Sequence, residues 1–522
     1  MSFKAELPSL LFITIDCLRA DHVGFLGYRN AITPTMDRLA AESIVFANAV
    51  VAGSPTYYAF PAVLAGRFPL AMGRDVLGLC PDETTLASHL RDQGYRTGAI
   101  VAGNPYLSRW MGYDQGFDYF EDFLQNQPAA GEASCTPTGS ELQRSSSLNR
   151  LLQRLTRLTP TFSTMYQELY FNYCLWITAR RAGRDFSRLL NAYPSAEVIT
   201  DRAISQLKLW QQPFFLWLHY MDAHRPYSPS GEMLEKLGRK DLSPPKQFRL
   251  RHLWLRQDLP TKRLWKYRKD YIDLYDASIA AIDSQIGRLL EALDTMGLRE
   301  NTIIVLTSDH GEAFLERGIS DHLPVLATQE IIRVPLLIRL PKDRTYPGPV
   351  TRPFSLMDLL PTVLAIAGLD CPPSFTGRSR WPALQNGESW EDPAITEMIY
   401  SHNLNPLDRI NPPGPRLLAA TDDRYKLTIN FANGSAELFD LKQDPQELDG
   451  RPLSQNPQIS IKLLRALHQH LENSLDNRFS RPELNLRLAS MRESFMQLSQ
   501  KKNHSYTGKN SRGFPWGNGL LS

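Results

Sequence analysis

Residues 10–16 read LLFITID, and this stretch decides the fold. Residues 10–15 form an almost continuous apolar run, which is typical of a strand that is covered on both faces of a sheet. Asp16 follows directly. A carboxylate at the end of a buried strand is costly unless it is paired, caps a turn or helix, or binds a metal ion. The run therefore predicts a buried strand and makes Asp16 the first candidate site residue.

Four more short apolar runs follow along the chain: residues 97–101 (TGAIV), 214–218 (FFLWL), 303–307 (IIVLT) and 336–340 (LLIRL). Helical patterns separate them, most clearly residues 270–296. An earlier helix is predicted at 33–46, with Thr33 as its N-cap and Pro34 in its first turn. Strands that alternate with helices predict an α/β fold, with a large, mainly parallel sheet flanked by helices. Sites in such sheets gather at the carboxyl ends of the strands.

The length of the chain indicates one large domain and a smaller companion. We predict a large domain in residues 1–370, with insertions near 125–210 and 225–265, a small C-terminal α+β subdomain in 371–475, and a flexible tail in 476–522. In the first insertion, residues 148–158 read LNRLLQRLTRL, with leucines on one helical face and arginines elsewhere. Such a segment would pack as a lid, or lie on a membrane or a partner protein.

The composition is that of an ordinary globular protein. The 522 residues carry a net charge of +3, which argues against nucleic acid as a partner. Five cysteines are scattered without a CxxC pair, which favours a reducing compartment. The first apolar run is too short for a signal sequence, and no stretch is long enough for a transmembrane helix. The expected location is therefore cytoplasmic, with contact to a membrane surface left open.

Two clusters of polar residues follow predicted strands. Residues 308–312 read SDHGE, in which Asp309 and His310 are a natural pair of metal ligands, and His322 lies twelve residues beyond His310. Residues 219–227 read HYMDAHRPY and follow the strand at 214–218. We expect His219 to be structural because it lies at the edge of the strand, whereas His224 and Asp222 are candidates for substrate binding.

A third candidate segment, residues 54–66, reads SPTYYAFPAVLAG and predicts a turn that leads into a helix. A hydroxyl at the start of a helix is usually a cap. The N-terminus of a helix also attracts anions such as phosphate or sulfate. The same geometry therefore suits a nucleophile, and Thr56 is the candidate.

Three segments together resemble the sulfatase family of the alkaline phosphatase superfamily. They are ITIDCLRADHVGFLGY, PFFLWLHYMDAHRPY and IIVLTSDHGEAFLERG, and further similarities reach residue 447 in the order of the family. The resemblance implies an alkaline phosphatase-like α/β domain, a smaller C-terminal domain with an antiparallel sheet, and a bound divalent metal ion. The resemblance further implies that Asp16, Thr56, Asp309 and His310 are the ligands of this metal ion. His224 and His322 would contact the ester group of the substrate.

The chain departs from the sulfatase pattern at several positions. Cys17 stands where sulfatases carry a second adjacent aspartate, and Phe60 stands where their motif has an arginine. Thr56 occupies the position of the Cys or Ser that sulfatases convert to formylglycine, and threonine cannot be oxidised to that aldehyde. A threonine nucleophile resembles instead the phosphoester branches of the superfamily: nucleotide pyrophosphatases, lipoteichoic acid synthases and phosphoethanolamine transferases.

These observations predict a metal-dependent hydrolase of sulfate or phosphate esters, with phosphate esters favoured. Thr56 would form a covalent intermediate, and His224 or His322 would protonate the leaving oxygen. The metal would be Mn, Zn, Mg or Ca, and a second ion could bind His224, His322 and Asp222. The substrate would be a small-molecule, glycan or lipid ester. Two alternatives stay open: a phospho-head-group transferase, and a catalytically inactive binding protein.

Overall fold

The computed structural model describes most of the chain: residues 7–72, 78–124, 192–254, 261–341, 348–399, 415–431 and 433–476, with a few single positions besides. The predicted basic segment at 148–158 and the predicted tail beyond residue 476 lie outside the described residues. Within the described part, no helix combines the length and the apolar character that crossing a membrane requires.

The described residues form thirteen strands, which are numbered in chain order. They are β1 (Ser9–Ile15), β2 (Ser43–Val50), β3 (Gly53–Ser54), β4 (Arg96–Val101), β5 (Tyr119–Glu121), β6 (Phe214–Tyr220), β7 (Thr302–Thr307), β8 (Arg333–Arg339), β9 (Phe354–Ser355), β10 (Ala394–Ile399), β11 (Pro415–Thr421), β12 (Tyr425–Asn430) and β13 (Ser435–Asp440). Eight of them form one large sheet in the order β5-β4-β6-β1-β7-β8-β2-β9. The other five form a smaller sheet in the order β13-β12-β11-β10-β3.

The described helices are also numbered in chain order. They are α1 (Pro34–Ala41), α2 (Thr56–Ala65), α3 (Leu86–Asp92), α4 (Ala196–Leu207), α5 (Gly231–Lys236), α6 (Pro244–Trp254), α7 (Thr261–Trp265), α8 (Arg268–Thr295), α9 (Gln329–Ile332), α10 (Leu359–Ala367), α11 (Trp381–Asn386) and α12 (Pro457–Asp476). The predicted helix at 270–296 corresponds to α8. Together with the sheets, these helices confirm the predicted α/β fold with a smaller C-terminal α+β part.

The central strand β1 explains why the large sheet is buried on both faces. Successive side chains of a strand point to opposite faces. Leu10 and Phe12 join one hydrophobic cluster, whereas Leu11, Ile13 and Ile15 join a second cluster on the other side. Both faces of β1 are therefore apolar, which is why its sequence lacks the alternation of a half-exposed strand.

Strands β4, β6, β1 and β7 run parallel to one another at the centre of the large sheet. Their carboxyl ends consequently meet at one edge. Strand β8, which contains the apolar run predicted at 336–340, is antiparallel to β7 and to β2. The sheet is therefore mainly parallel, as predicted, with β8 as the exception.

The predicted helix at 33–46 is wrong in its second half. Helix α1 ends at Ala41, and residues Ser43–Val50 form β2, which pairs with β8 and β9. The helical spacing that seemed to extend to Ile44 is overridden by pairing with distant strands. Ile44 and Phe46 are buried at a spacing of two, the period of a strand.

The smaller sheet reaches into the large domain through β3. Gly53 pairs with Glu397 of β10, and the Thr396 hydroxyl donates a hydrogen bond to Val51 O at 2.7 Å. The C-terminal sheet thereby holds the segment that runs directly into Thr56 at the start of α2. The position of that residue depends on both parts of the chain.

Candidate active site

The carboxyl ends of four adjacent strands bring polar side chains together. Asp16 follows β1, Asp309 follows β7, His219 lies near the end of β6, and Asn104 lies shortly after β4. The Asn104 amide donates to Asp16 Oδ2 at 3.1 Å, and His219 Nε2 lies 3.3 Å from the same oxygen. These groups converge on Asp16 because parallel strands end at a common edge.

Thr56 is the first residue of α2, and its side chain enters this cluster from the facing segment. Its Oγ1 lies 3.1 Å from His310 Nε2 and donates to Asp16 Oδ2 at 3.4 Å. The residue is only 4% exposed. A buried hydroxyl at a helix N-terminus lies where backbone N–H groups and the helix dipole favour negative charge.

The orientation of His310 follows from its backbone contact. Its Nδ1 lies 2.9 Å from Gly311 O, which can only accept, so Nδ1 carries the proton. Nε2 is then the lone-pair nitrogen, and it faces Thr56 and lies 3.4 Å from Asp309 Oδ2. Such a hydrogen bond on the far nitrogen is how proteins orient a metal-binding imidazole.

The two aspartates respond differently to burial. Burial raises the pKa of Asp309, and the charge on Asp16 raises it further. Burial alone would raise the pKa of Asp16 as well, but the imidazoles of His224, His219 and His310 outweigh that effect and hold the pKa of this carboxyl well below its usual range. The pair therefore places concentrated negative charge in a dry site, where a cation would be strongly favoured.

Asp309 shows how the site fits a divalent metal ion. Its Oδ1 accepts from the backbone N–H groups of Cys17 and His310, at 3.3 and 3.0 Å. Its Oδ2 is buried without a hydrogen-bond partner among the described residues. An unpartnered buried carboxylate oxygen beside a hydroxyl, an imidazole and a second carboxylate is a donor set that suits a hard or borderline cation.

Cys17 occupies a special place in the turn after β1. Its φ of 61° is in the left-handed region, which is uncommon for a residue other than glycine. Its Sγ lies 3.1 Å from Asp16 Oδ1 and 3.5 Å from His322 Nδ1. The thiol therefore faces the site at the position where sulfatases carry their second aspartate.

His224 and His322 lie side by side next to this cluster. Their ring centroids are 5.2 Å apart, and the ring of His322 stacks on that of His310 at 4.5 Å. Burial lowers the pKa of His224. Burial would also lower the pKa of His322, but Asp321 and Glu312 outweigh it and raise the pKa of this imidazole to about 9. His322 therefore carries a proton near neutral pH.

Asp222 does not join the two histidines, although the sequence grouped the three. Its Oδ1 accepts from the backbone N–H of Ala196, the first residue of α4, at 3.1 Å. Burial raises its pKa to about 6. The local spacing of His219, Asp222 and His224 could not show that the side chain of Asp222 turns toward a helix N-terminus.

Three residues of the cluster were not candidates from sequence. The structure places Asn104, His219 and Cys17 in contact with Asp16. Asn104 could have been found, because it follows the predicted strand at 97–101 in the same way as Asp16 follows β1. We expected His219 to be structural, yet its Nε2 faces Asp16, and the ring of Phe60 packs edge-on against it at 5.1 Å.

Comparisons with known proteins identify the family to which the chain belongs. A family model described as Sulfatase matches residues 8–369, more than half of the chain. A model described as N-sulphoglucosamine sulphohydrolase, C-terminal, matches residues 324–477. The chain is 25% identical over 523 residues to an ulvan-active sulfatase of Formosa agariphila, an alignment that covers 98% of this chain and 87% of the relative.

Solved structures show the same fold. One, in complex with its substrate D-glucosamine-2-N,6-O-disulfate, has a TM-score of 0.61 at 19% identity and covers 92% of this chain and 100% of its own. Another, a phosphonate monoester hydrolase of Agrobacterium radiobacter, has a TM-score of 0.60 at 19% identity and covers 90% of this chain and 96% of its own. The match to the Sulfatase family model across residues 8–369 establishes that the chain belongs to the sulfatase family of ester hydrolases, in the alkaline phosphatase superfamily.

Proposed function

We propose that this protein is a metal-dependent hydrolase that cleaves phosphate esters in preference to sulfate esters, with Thr56 as its nucleophile. The position of the Thr56 hydroxyl is the main support for this function. The Thr56 hydroxyl is buried at the start of α2 and lies within 3.4 Å of both Asp16 and His310, at the edge where the parallel strands end. An attacking group in a phosphoryl- or sulfuryl-transferring enzyme requires this kind of placement.

Four residues would hold a divalent metal ion: Asp16, Thr56, Asp309 and His310. Such an ion, when bound, supplies Lewis acidity and positive charge for oxygen atoms that become negative in the transition state. The family generally binds a divalent metal, and the donor set contains carboxylate, hydroxyl and imidazole groups. We propose Mn, Zn, Mg or Ca for this position, since each accepts such ligands.

The residues of the chain would carry out the bond changes as follows. The Thr56 hydroxyl, which donates a hydrogen bond to Asp16 Oδ2, would lose its proton to solvent, and its oxygen lone pair would attack phosphorus. A bond forms between Thr56 Oγ1 and phosphorus while the bond to the leaving oxygen breaks. The backbone N–H groups at the start of α2 stabilise the equatorial oxygens. A water molecule would then attack phosphorus of the phosphorylated Thr56, the bond between phosphorus and Thr56 Oγ1 would break, and a proton from the water would restore the Thr56 hydroxyl as phosphate leaves.

His322 is the proposed proton donor to the leaving oxygen. Its Nδ1 is held 3.1 Å from Asp321 Oδ1, and the protonated imidazole has a second N–H at Nε2. His224 Nδ1 donates a hydrogen bond to Arg225 O at 2.6 Å. Burial lowers the pKa of this imidazole, which favours its neutral form. The protonated His322 and the neutral His224 would then both contact the ester group.

Replacing His322 with alanine is expected to lower kcat by roughly 10²- to 10⁴-fold, the usual range for a general acid. The loss should shrink for esters whose leaving group is a weak base, because such groups depart without a proton. A series of aryl phosphates of graded leaving-group pKa measures this. His252 in α6 offers a matched control, since it lies in a different part of the chain and its Nδ1 contacts Phe248 O. An equal loss across the whole series would contradict the proton-donor role.

The identity of the nucleophile determines which class of ester we expect to be hydrolysed faster. A formylglycine hydrate expels sulfate by reforming its aldehyde, and a threonine has no such route. Sulfated Thr56 would have to be cleared by direct hydrolysis, whereas phosphorylated Thr56 can be cleared by attack of water on phosphorus. We therefore expect matched aryl phosphates to be hydrolysed at least about tenfold faster than the aryl sulfate, a difference of about 1.4 kcal/mol in the barrier.

Steady-state rates on an aryl phosphate monoester, a diester and the sulfate with the same leaving group test this order. Faster sulfate release, together with an unmodified Thr56 in the mass spectrum, would refute the phosphoester preference. For the natural substrate we propose a small-molecule, glycan or lipid ester. The named substrates of the relatives, ulvan and a disulfated glucosamine, support the glycan class.

A further inference from the structure

A buried ion pair joins the smaller sheet to the short helix α9. Lys426 of β12 and Glu447, which follows β13, are only 1% and 4% exposed, and the Lys426 ammonium contacts Glu447 Oε1. Lysine and glutamate are almost never fully buried unless they are paired. Such a pair is weak evidence for stability by itself, because the loss of hydration offsets much of the attraction. What the pair contacts outside the smaller sheet is therefore informative.

Both members of the pair bind the backbone at the start of α9. The Lys426 ammonium donates to Ala327 O, and Glu447 Oε2 accepts from the backbone N–H of Gln329, the first residue of α9, at 2.8 Å. Glu447 has a φ of 55°, a left-handed conformation that costs energy in a residue other than glycine and persists where surrounding contacts require it. Its carboxylate satisfies a backbone N–H that has no partner within the helix.

The other end of α9 supports two segments of the candidate active site. Ile331 O accepts from Gly311 N at 2.8 Å, and Ile332 O accepts from Val51 N at 3.0 Å. Gly311 O in turn orients the imidazole of His310 at 2.9 Å, and Val51 leads through β3 into α2. One four-residue helix therefore supports both the segment with a proposed metal ligand and the segment with the proposed nucleophile.

Helix α9 and the turn after β7 lie in direct contact. A Cβ atom on Gly311 would lie 2.0 Å from Glu330 O, so only glycine fits at this position. Ile331 and Ile332 are fully buried in the hydrophobic cluster that also contains Leu10. A shift of α9 would therefore also move the backbone of residues 310–311.

We propose that Lys426 and Glu447 are positioning residues for the candidate active site. They hold the start of α9, and α9 holds the backbone that orients His310 and leads to Thr56. The effect on catalysis rests on the proposed function, whereas the coupling through α9 does not. The smaller sheet would thus take part in the reaction in a second way, besides holding β3.

Two double variants that both lack the buried charges test this coupling. Lys426→Met with Glu447→Leu leaves the backbone N–H of Gln329 without an acceptor, whereas Lys426→Met with Glu447→Gln keeps one. Because both charges are removed together, neither variant buries an unpaired charge, and the two should have similar global stability. Hydrogen–deuterium exchange of the metal-free full chain, measured by mass spectrometry on peptides that contain Gly311 and Val51, reports on the far end of α9.

In the variant with leucine we expect the peptides with Gly311 and Val51 to exchange about tenfold faster than in the natural protein, because local opening of α9 becomes easier. Arg317, which pairs with Glu330 and donates to Gln446 O, remains as a second link and limits the effect. The variant with glutamine should exchange at a rate closer to that of the natural protein.

Arg424→Met is the control for a general loosening of the smaller sheet. It breaks the pair of Arg424 and Asp440, which lies within that sheet with its guanidinium nitrogen 2.6 Å from the carboxylate. The peptides with Gly311 and Val51 should exchange in this variant as in the natural protein. Equal acceleration in Arg424→Met, or unchanged exchange in the folded variant with leucine, would overturn the proposal.

Glu447→Asp is a milder change that applies if the variant with leucine does not fold. It keeps a carboxylate beside Lys426 but shortens its reach to Gln329 N by one methylene group. We expect about threefold faster exchange in the same two peptides. Exchange at the natural rate in Glu447→Asp would overturn the proposal.

Metal binding and kinetics extend the test to the proposed reaction. The variant with leucine should bind Mn²⁺, one of the ions proposed above, about tenfold more weakly, a loss typical of groups that orient metal ligands. It should also lower kcat on an aryl phosphate while KM changes little. Faster exchange together with unchanged Mn²⁺ affinity and unchanged kcat would overturn the positioning role. A natural protein that hydrolyses no ester would refute the proposed function, and the exchange measurement would still decide the coupling.

Discussion

Replacement of Thr56 with alanine is expected to lower kcat on aryl phosphate esters by on the order of 10⁶-fold, the loss known for removal of a hydrolase nucleophile. The physical reason is that the Thr56 oxygen forms the new bond to phosphorus in the proposed reaction. Alanine removes that oxygen but keeps the helix start, because Pro55 and not Thr56 is the N-cap residue of α2. Steady-state kinetics on an aryl phosphate measures the effect.

Two further variants separate the hydroxyl from the fold. Thr56→Ser keeps an oxygen at the same position and should retain much of the activity. Ser54→Ala alters a neighbouring buried hydroxyl that has no hydrogen-bond partner among the described residues, and it should leave kcat nearly unchanged. A phosphorylated peptide that contains Thr56, trapped by rapid acid quenching, would identify the intermediate. Full activity in folded Thr56→Ala would eliminate this nucleophile, and Ser54 would be the next residue to test.

The Asp309→Asn variant should weaken metal binding by more than about 100-fold, beyond the effect of an outer-shell partner, and should abolish turnover. Asparagine keeps an oxygen that can accept from Cys17 N and His310 N, so the local fold should persist. The same change should stabilise the metal-free protein by about 1–3 kcal/mol, because an unpartnered carboxylate oxygen is no longer buried.

Metal-dependent unfolding distinguishes these opposite effects. At a metal concentration 100 times the Kd, binding stabilises the natural protein by about 2.7 kcal/mol. A Kd that is 100-fold weaker reduces that gain to about 0.4 kcal/mol at the same concentration. Denaturant unfolding with and without metal gives both numbers. A variant that keeps the full metal-dependent gain, or that is less stable than the natural protein without metal, would contradict the ligand role of Asp309.

Much of the architecture could be predicted because the decisive signals are local. Residues 10–15 are apolar on both faces of their strand, and this continuous run predicted burial without knowledge of any partner. The runs that became β4, β6 and β7 were recognised in the same way. Asp16, Asp309 and His310 could then be chosen as candidate site residues, because polar residues that directly follow buried parallel strands lie at a common edge of the sheet.

The sequence by itself determined the α/β class, several buried strands and the candidate residues that directly follow them, because side-chain period and chain order are properties of neighbouring residues. Only the tertiary structure decided which distant groups meet. In the structure, residues 43–46 belong to strand β2 and not to a helix, and Asp222 contacts the start of α4. Asn104 and Cys17 both lie in contact with Asp16. These outcomes depend on strand order and pairing register, which are set by burial and hydrogen bonding between segments far apart in the chain.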